Sequence, residues 1–205
     1  MSRPSDVSGR PVPRSVDLSR AARAIEDFLA AVGAPEGDPE LKGTGARVAE
    51  AFANDLLSGY DLDPAVILSD RASSHAPGLV LVTSVATTTM CPHHLLPASG
   101  VTHVGYWPSE GVVGLGAIAR LVDCYSRRFA LQEDLGQQIA DALVTHLGAR
   151  AAGAVVDLSP ACMTARGERR HGSRAVTTAF AGAAASDASL RAELLSAVQI
   201  ASGAP

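Results

Sequence analysis

The chain has 205 residues, 47% of them hydrophobic and 19% charged, a composition suited to one good core with an extension. A formal net charge of -4 excludes a protein held to nucleic acid mainly through phosphate contacts. No apolar run reaches the length of a membrane span, so neither a nucleic acid nor a membrane is expected as a partner.

The first fourteen residues are polar and rich in Ser, Pro and Arg, without the apolar centre of an export signal. They are expected to form a flexible tail, and the protein is expected in the cytoplasm. From Ser15 to Val32, Leu18, Ala22, Ile25, Phe28, Leu29 and Val32 fall at helical spacing, and Gly33 follows as a stop. A second helix is expected from Thr44 to Leu57, and a loop-rich stretch from Tyr60 to Pro77. Leu79–Thr87 and Val101–Trp107 have the β-branched, apolar character of strands, with the polar stretch Thr88–Gly100 between them. Helices are expected over Gly116–Arg128 and Gln132–Leu147, the second stopped by Gly148. Ala154–Leu158 and Ala175–Ala181 read as two more strands, and a last helix runs from Ser186 to Ile200 with a Ser-Asp cap.

The order strand, strand, helix, helix, strand, strand predicts an α+β fold, an antiparallel sheet with helices on one face and an N-terminal helical extension. The expected divisions are a tail over 1–14, a helical region over 15–75, a catalytic domain over 76–184, and a C-terminal helix and tail over 185–205. A lone four-stranded sheet leaves its edges open, which points to a homo-oligomer. Aromatics are only 4% of the chain, so the core must be built from Ala, Val and Leu.

Three cysteines, Cys91, Cys124 and Cys162, cannot close a disulfide framework; free thiols or metal ligands are expected. Cys91-Pro92-His93-His94 is the densest group of soft ligands in the sequence. A bent loop can direct Cys91 and His94 at one ion, and Cys162 can return as a third ligand from the later strand pair. Two thiolates and one imidazole around Zn2+ leave a position open for water. The spacing alone leaves metal ligation and ordinary buried thiols equally open. His93 alternates with His94 and is read as an acid/base group or a loop residue. Cys124 is a packed helix thiol, and His75, His103 and His146 are structural. His171, after Glu168-Arg169-Arg170, is solvated or near a site.

These segments resemble the GTP cyclohydrolase I family. The family's CEHH zinc loop stands here as Cys91-Pro92-His93-His94, and its GLSK-x-x-R segment as Gly114 to Arg120. Its VQERL-x-x-QIA-x-AL helix appears as Leu131 to Leu143, and CM-x-x-RG as Cys162 to Gly167. Upstream, Thr44 to Glu50 resembles TP-x-RVAK, followed by SGYD at Ser58 to Asp61. The resemblance implies the tunnelling fold, in which subunits join their sheets into barrels and two rings stack into a decamer with inter-subunit active sites. It implies hydrolysis of the imidazole ring of GTP, giving 7,8-dihydroneopterin triphosphate and formate. Cys91, His94 and Cys162 would then hold zinc and His93 would transfer protons. Gln132 and Glu133 would bind the guanine edge, and Arg47, Arg120 and Arg166 the phosphates.

Departures from the family pattern concentrate on that chemistry. The family's second catalytic histidine falls at Pro160, two phosphate-binding lysines at Glu50 and Ala117, its serine at Gly116, and the glutamate of CEHH at Pro92. If the segment runs as a strand, Pro160 and Cys162 face the same way. The departures leave two alternatives beside the family reaction. One is a divergent enzyme that stops at a ring-opened formamidopyrimidine or takes a purine with fewer phosphates. The other is a non-catalytic purine-binding homologue.

Overall fold

The computed structural model describes residues 14–73, 78–109, 111–167 and 169–203. The tail over 1–13, His75, Glu168 and the last two residues lie outside them.

Helix α1 (Leu18–Ala31) is capped by Asp17, whose side chain accepts from the Arg20 N–H, and Gly33 follows at φ +79° as expected of its stop. Arg14 is anchored where the sequence places the end of a tail. Its guanidinium donates to the Ala53 carbonyl and to Asp61, and stands 5.9 Å over the Tyr60 ring. Helix α2 (Thr44–Glu50) packs on α1 and continues as a π-helical turn through Ala51–Leu56. The stretch expected to be loop carries regular structure: a 3-10 turn at Ser58–Asp61, α3 (Pro64–Ile67) and β1 (Arg71–Ser73). Asp63 caps α3 and Pro64 opens it, a start signal compressed into four residues.

The main sheet has the order β2-β3-β5-β6, antiparallel throughout, with β2 at Val80–Met90, β3 at Pro97–Trp107, β5 at Ala151–Pro160 and β6 at Ala175–Gly182. β4 (Gly111–Val113) pairs instead with β1 in a small ribbon. β2 and β3 extend into the stretch expected to be a polar connection, because Thr87, Thr89 and Ala98 alternate inward and bury. Helices α4 (Leu115–Ser126) and α5 (Gln132–Ala142) cover one face. Val104, Tyr106, Ala152, Ala154, Val156 and Leu158 meet Ile118, Leu121, Leu135 and Ile139 there. The last helix, α7 (Ala188–Ala201), is capped by Asp187 and covers one end of the opposite face, where Leu194 meets Trp107, Ala151 and Val155. The many core alanines answer the shortage of aromatics, and α5 comes close enough that a Cβ on Gly136 would stand 3.3 Å from that of Ala179.

A bulge between Val82 and Val85 shifts the alternation of β2 by one residue. Ser84 there sits at φ +56°, and its N–H donates to Nδ1 of the buried His103 across the pair at 3.4 Å. Burial holds the His103 pKa below its ordinary 6.5, against an upward pull from Asp157. The neutral ring therefore contributes its stability in full above about pH 6.5, and that contribution is lost as pH falls and the unfolded chain binds the extra proton. Urea midpoints of the metal-free protein should drop more between pH 7.5 and 5.5 in wild type than in His103→Asn. Equal drops would remove His103 from the acid limb.

Candidate metal centre and active site

Antiparallel register carries Cys162 to the end of the sheet where Cys91 and His94 stand on one loop. β2 ends at Met90, and residues 91–96 turn the chain into β3. The Cys91 N–H donates to the Leu96 carbonyl and the Leu95 N–H to the Cys91 carbonyl, a tight closure that puts Leu95 at φ +53°. Across β3, Ala98 pairs with Pro160 at the end of β5, and α6 (Ala161–Thr164) follows at once. Cys162 therefore returns beside the hairpin loop. The ligand atoms of Cys91, His94 and Cys162 all lie within 4.8 Å of one another, with Cys91 Sγ 3.9 Å from His94 Nδ1.

Sulfur and imidazole donors on a tetrahedral zinc stand about 3.5–4 Å apart, a spacing that this donor set approaches. His94 is exposed and both thiols are half-buried, so the cluster opens toward solvent. Two thiolates, one imidazole and an open side suit a catalytic rather than a closed structural site. His93 is exposed on the same loop, its ring 6.3 Å from that of His94 and nearly perpendicular to it.

The face-sharing of Pro160 and Cys162 does not hold. Pro160 is the last residue of β5 and Cys162 the second of α6, so the two-residue alternation has already ended. Cys124 is packed as expected, its thiol donating to the Leu62 carbonyl and receiving the Arg128 guanidinium at 3.2 Å; burial raises its pKa.

The substrate residues read from the sequence are placed unevenly. Gln132 opens α5, and its Nε2 donates to the Val156 carbonyl at 2.9 Å and the Ala175 carbonyl at 2.7 Å. It staples the helix start to the β5–β6 seam and fixes Glu133, which is exposed in the next position. Arg166 is exposed on the loop after α6 and Arg120 on α4. Arg47 folds back on its own loop, donating to the Lys42 and Glu40 carbonyls and to Thr44 Oγ1. Among the described residues, no hydrogen bond or ion pair joins these arginines to the cluster. Glu50 is exposed, whereas Ala117 is buried in the core.

The support behind the metal loop was not read from the sequence. The Met90 N–H donates to the Arg128 carbonyl, and the Met90 carbonyl accepts from the Ala130 N–H. Arg128 in turn donates twice to the Gly59 carbonyl and lies between the Tyr60 and Tyr125 rings, 5.4 and 5.0 Å from their centres. Burial pushes the Tyr125 hydroxyl pKa up to about 12. The SGYD segment is thus a brace for residue 90, one step from Cys91.

The profile of the GTP cyclohydrolase I family matches residues 21–199 of this chain. The chain belongs to the GTP cyclohydrolase I family. It is 40% identical to the GTP cyclohydrolase 1 of Mycobacteroides abscessus, over 93% of this chain and 94% of that one. It is 40% identical to that of Corynebacterium glutamicum, over 91% and 95%. Among solved structures, an archaeosine synthase QueF-Like in its apo form covers 52% of this chain and 96% of its own. That match has 20% identity and a TM-score of 0.43, too slight to add to the assignment. The antiparallel sheet with α4 and α5 on one face agrees with the tunnelling fold of the family, and the chain is an enzyme of the GTP cyclohydrolase I type.

Proposed function

We propose that this protein holds one zinc ion through Cys91, His94 and Cys162 and converts GTP to 7,8-dihydroneopterin triphosphate and formate. The observation that carries the reading is the convergence of those three donors within 4.8 Å at the open end of the sheet. Zinc bound there would activate a water for attack on C8 of the purine. The rest of the work falls to the chain. Glu133, fixed at the start of α5 by the Gln132 staple, accepts N–H donors of the guanine edge. Gln132 has both its backbone-bound N–H donations committed to strands, so its part is to position Glu133 and to offer its amide oxygen. His93 moves protons on the hairpin side of the site. Arg166 and Arg120 hold phosphate oxygens with planar guanidinium forks, and Arg47 joins them by releasing or sharing its loop carbonyls.

Arg47 spends its hydrogen bonds on its own loop and makes none to the zinc loop of the same protomer, which suits a homodecamer whose sites are completed between subunits. The open edges of β2 and β6 and the exposed Phe28 and Val32 of α1 offer the surfaces for it. Three free thiols suit the reducing cytoplasm. Early arrest, a less phosphorylated substrate or a purely binding role has no observation in its favour beyond the substitutions at Pro160, Glu50 and Ala117.

Metal analysis of the purified protein should give one zinc per chain. Chelation should stop pterin formation from GTP, and added zinc should restore it. Undiminished turnover by metal-free protein would overturn the assignment.

A further inference from the structure

The reaction proposed above breaks two bonds at one carbon, C8–N9 and then C8–N7. Each cleavage consumes one water: its oxygen bonds C8, one of its protons passes to the leaving nitrogen, and nothing is oxidised or reduced. The carbon leaves as formate. Both nitrogens need a proton as their bonds break, and imidazole is the side chain that can give and take one near neutral pH. His93 offers an imidazole on the hairpin side. On the Cys162 side, Pro160 offers none.

The backbone brings another histidine to that side. The Arg170 N–H donates to the Met163 carbonyl at 3.0 Å and closes the loop against α6. Ser159 Oγ donates to the Ser173 carbonyl at 3.2 Å and closes it against the end of β5. Beyond this second closure, β5 and β6 pair from Leu158 and Ala175. His171 and Gly172 lie between the two closures, so they run opposite Pro160, Ala161 and Cys162. The turn is set by Arg169 at φ +49° and Gly172 at φ +81°. The His171 N–H is pinned to the Arg169 carbonyl at 3.0 Å while the residue stays exposed. Its ring makes no hydrogen bond among the described residues. The main chain there is held by hydrogen bonds, and the exposed ring is available to a ligand.

We propose that His171 is the proton-transfer residue on the Cys162 side of the site, an inference that rests on the reaction assigned above. It gives a proton to the nitrogen leaving C8 and recovers one from the attacking water. Arg166, on the same loop, brings the phosphates to that side, so substrate binding and proton transfer share one short segment.

The test compares wild type, His171→Ala and His171→Gln, all zinc-loaded, by product mass spectrometry after incubation with GTP. Both variants are expected to keep one zinc per chain and KM within about twofold, and to lose about 10²-fold in kcat. They are also expected to accumulate the water adduct that still carries its formyl carbon. Added imidazole should recover part of the His171→Ala rate, and GTP affinity of the metal-free protein, read by calorimetry, should stay within twofold. Wild-type kinetics in both variants would overturn the inference, as would a rise in KM with kcat unchanged. Wild type that leaves GTP untouched would overturn the reaction assignment itself.

Discussion

Cys162→Ser protein is expected to fold, to lose its zinc and to fall on the order of 10³-fold or more in the rate of pterin formation. A serine hydroxyl stays protonated near neutral pH and is a poor zinc donor, whereas a thiolate is among the best. Two ligands from one short loop, Cys91 and His94, cannot hold the ion as three do. Cys162 is only half-buried, on a four-residue helix at the rim of the sheet, so the change should cost the fold less than about 1 kcal/mol. Unfolding midpoint and zinc content are therefore expected to separate: the first unchanged in metal-free protein, the second near zero. A variant that kept full zinc and full rate would show that the three donors are not the site.

Gly59→Ala should cost about 3 kcal/mol of stability, lowering the thermal midpoint by roughly 6–12 °C. A Cβ on Gly59 would stand 2.6 Å from the Asp123 carbonyl oxygen, 2.7 Å from that of Cys124 and 2.9 Å from that of Arg127. These are backbone atoms at the end of α4 and cannot swing aside as a side chain would. The displacement would also reach the metal loop, because Arg128 binds Gly59 and its carbonyl holds Met90, the neighbour of Cys91. Zinc affinity should weaken together with stability. Gly116→Ala is the control, since a Cβ there meets nothing within 4 Å and the helix gains propensity. Differential scanning calorimetry and a competitive zinc titration on both variants check the pair. An unshifted midpoint for Gly59→Ala would show that the SGYD turn is not a brace.

The chemistry of the site was legible where it depends on residue type. Thiol and imidazole at Cys91, His94 and Cys162 mark candidate ligands, but residue type and spacing leave ordinary buried thiols equally open until the family resemblance is weighed and the fold brings the three together. Gly33 and Gly148 were legible as helix stops because both adopt positive φ, and Asp187 as a cap because its carboxylate meets free N–H groups. What escaped depends on register. The bulge at Ser84 breaks the period of β2, so alternation undercounts that strand. β1 and β4 have three residues each, too few to show any period. The carbonyls that Gln132 holds, 24 and 43 residues onward, add a structural tie that residue type does not show. Pro160 and Cys162 seem to share a face only while α6 is read as strand. The same four-residue helix turns Cys162 to the hairpin loop and sets the loop that carries Arg166 and His171.

Every residue role assigned to the site serves the hydrolysis of GTP at C8. Incubation of the zinc-loaded protein with GTP carbon-13-labelled at C8, followed by NMR of the mixture, tests it most directly. The label is expected in free formate, one formate for each dihydroneopterin triphosphate formed. Label left in GTP, or held in a formyl group on a ring-opened purine without progress to formate, would contradict it.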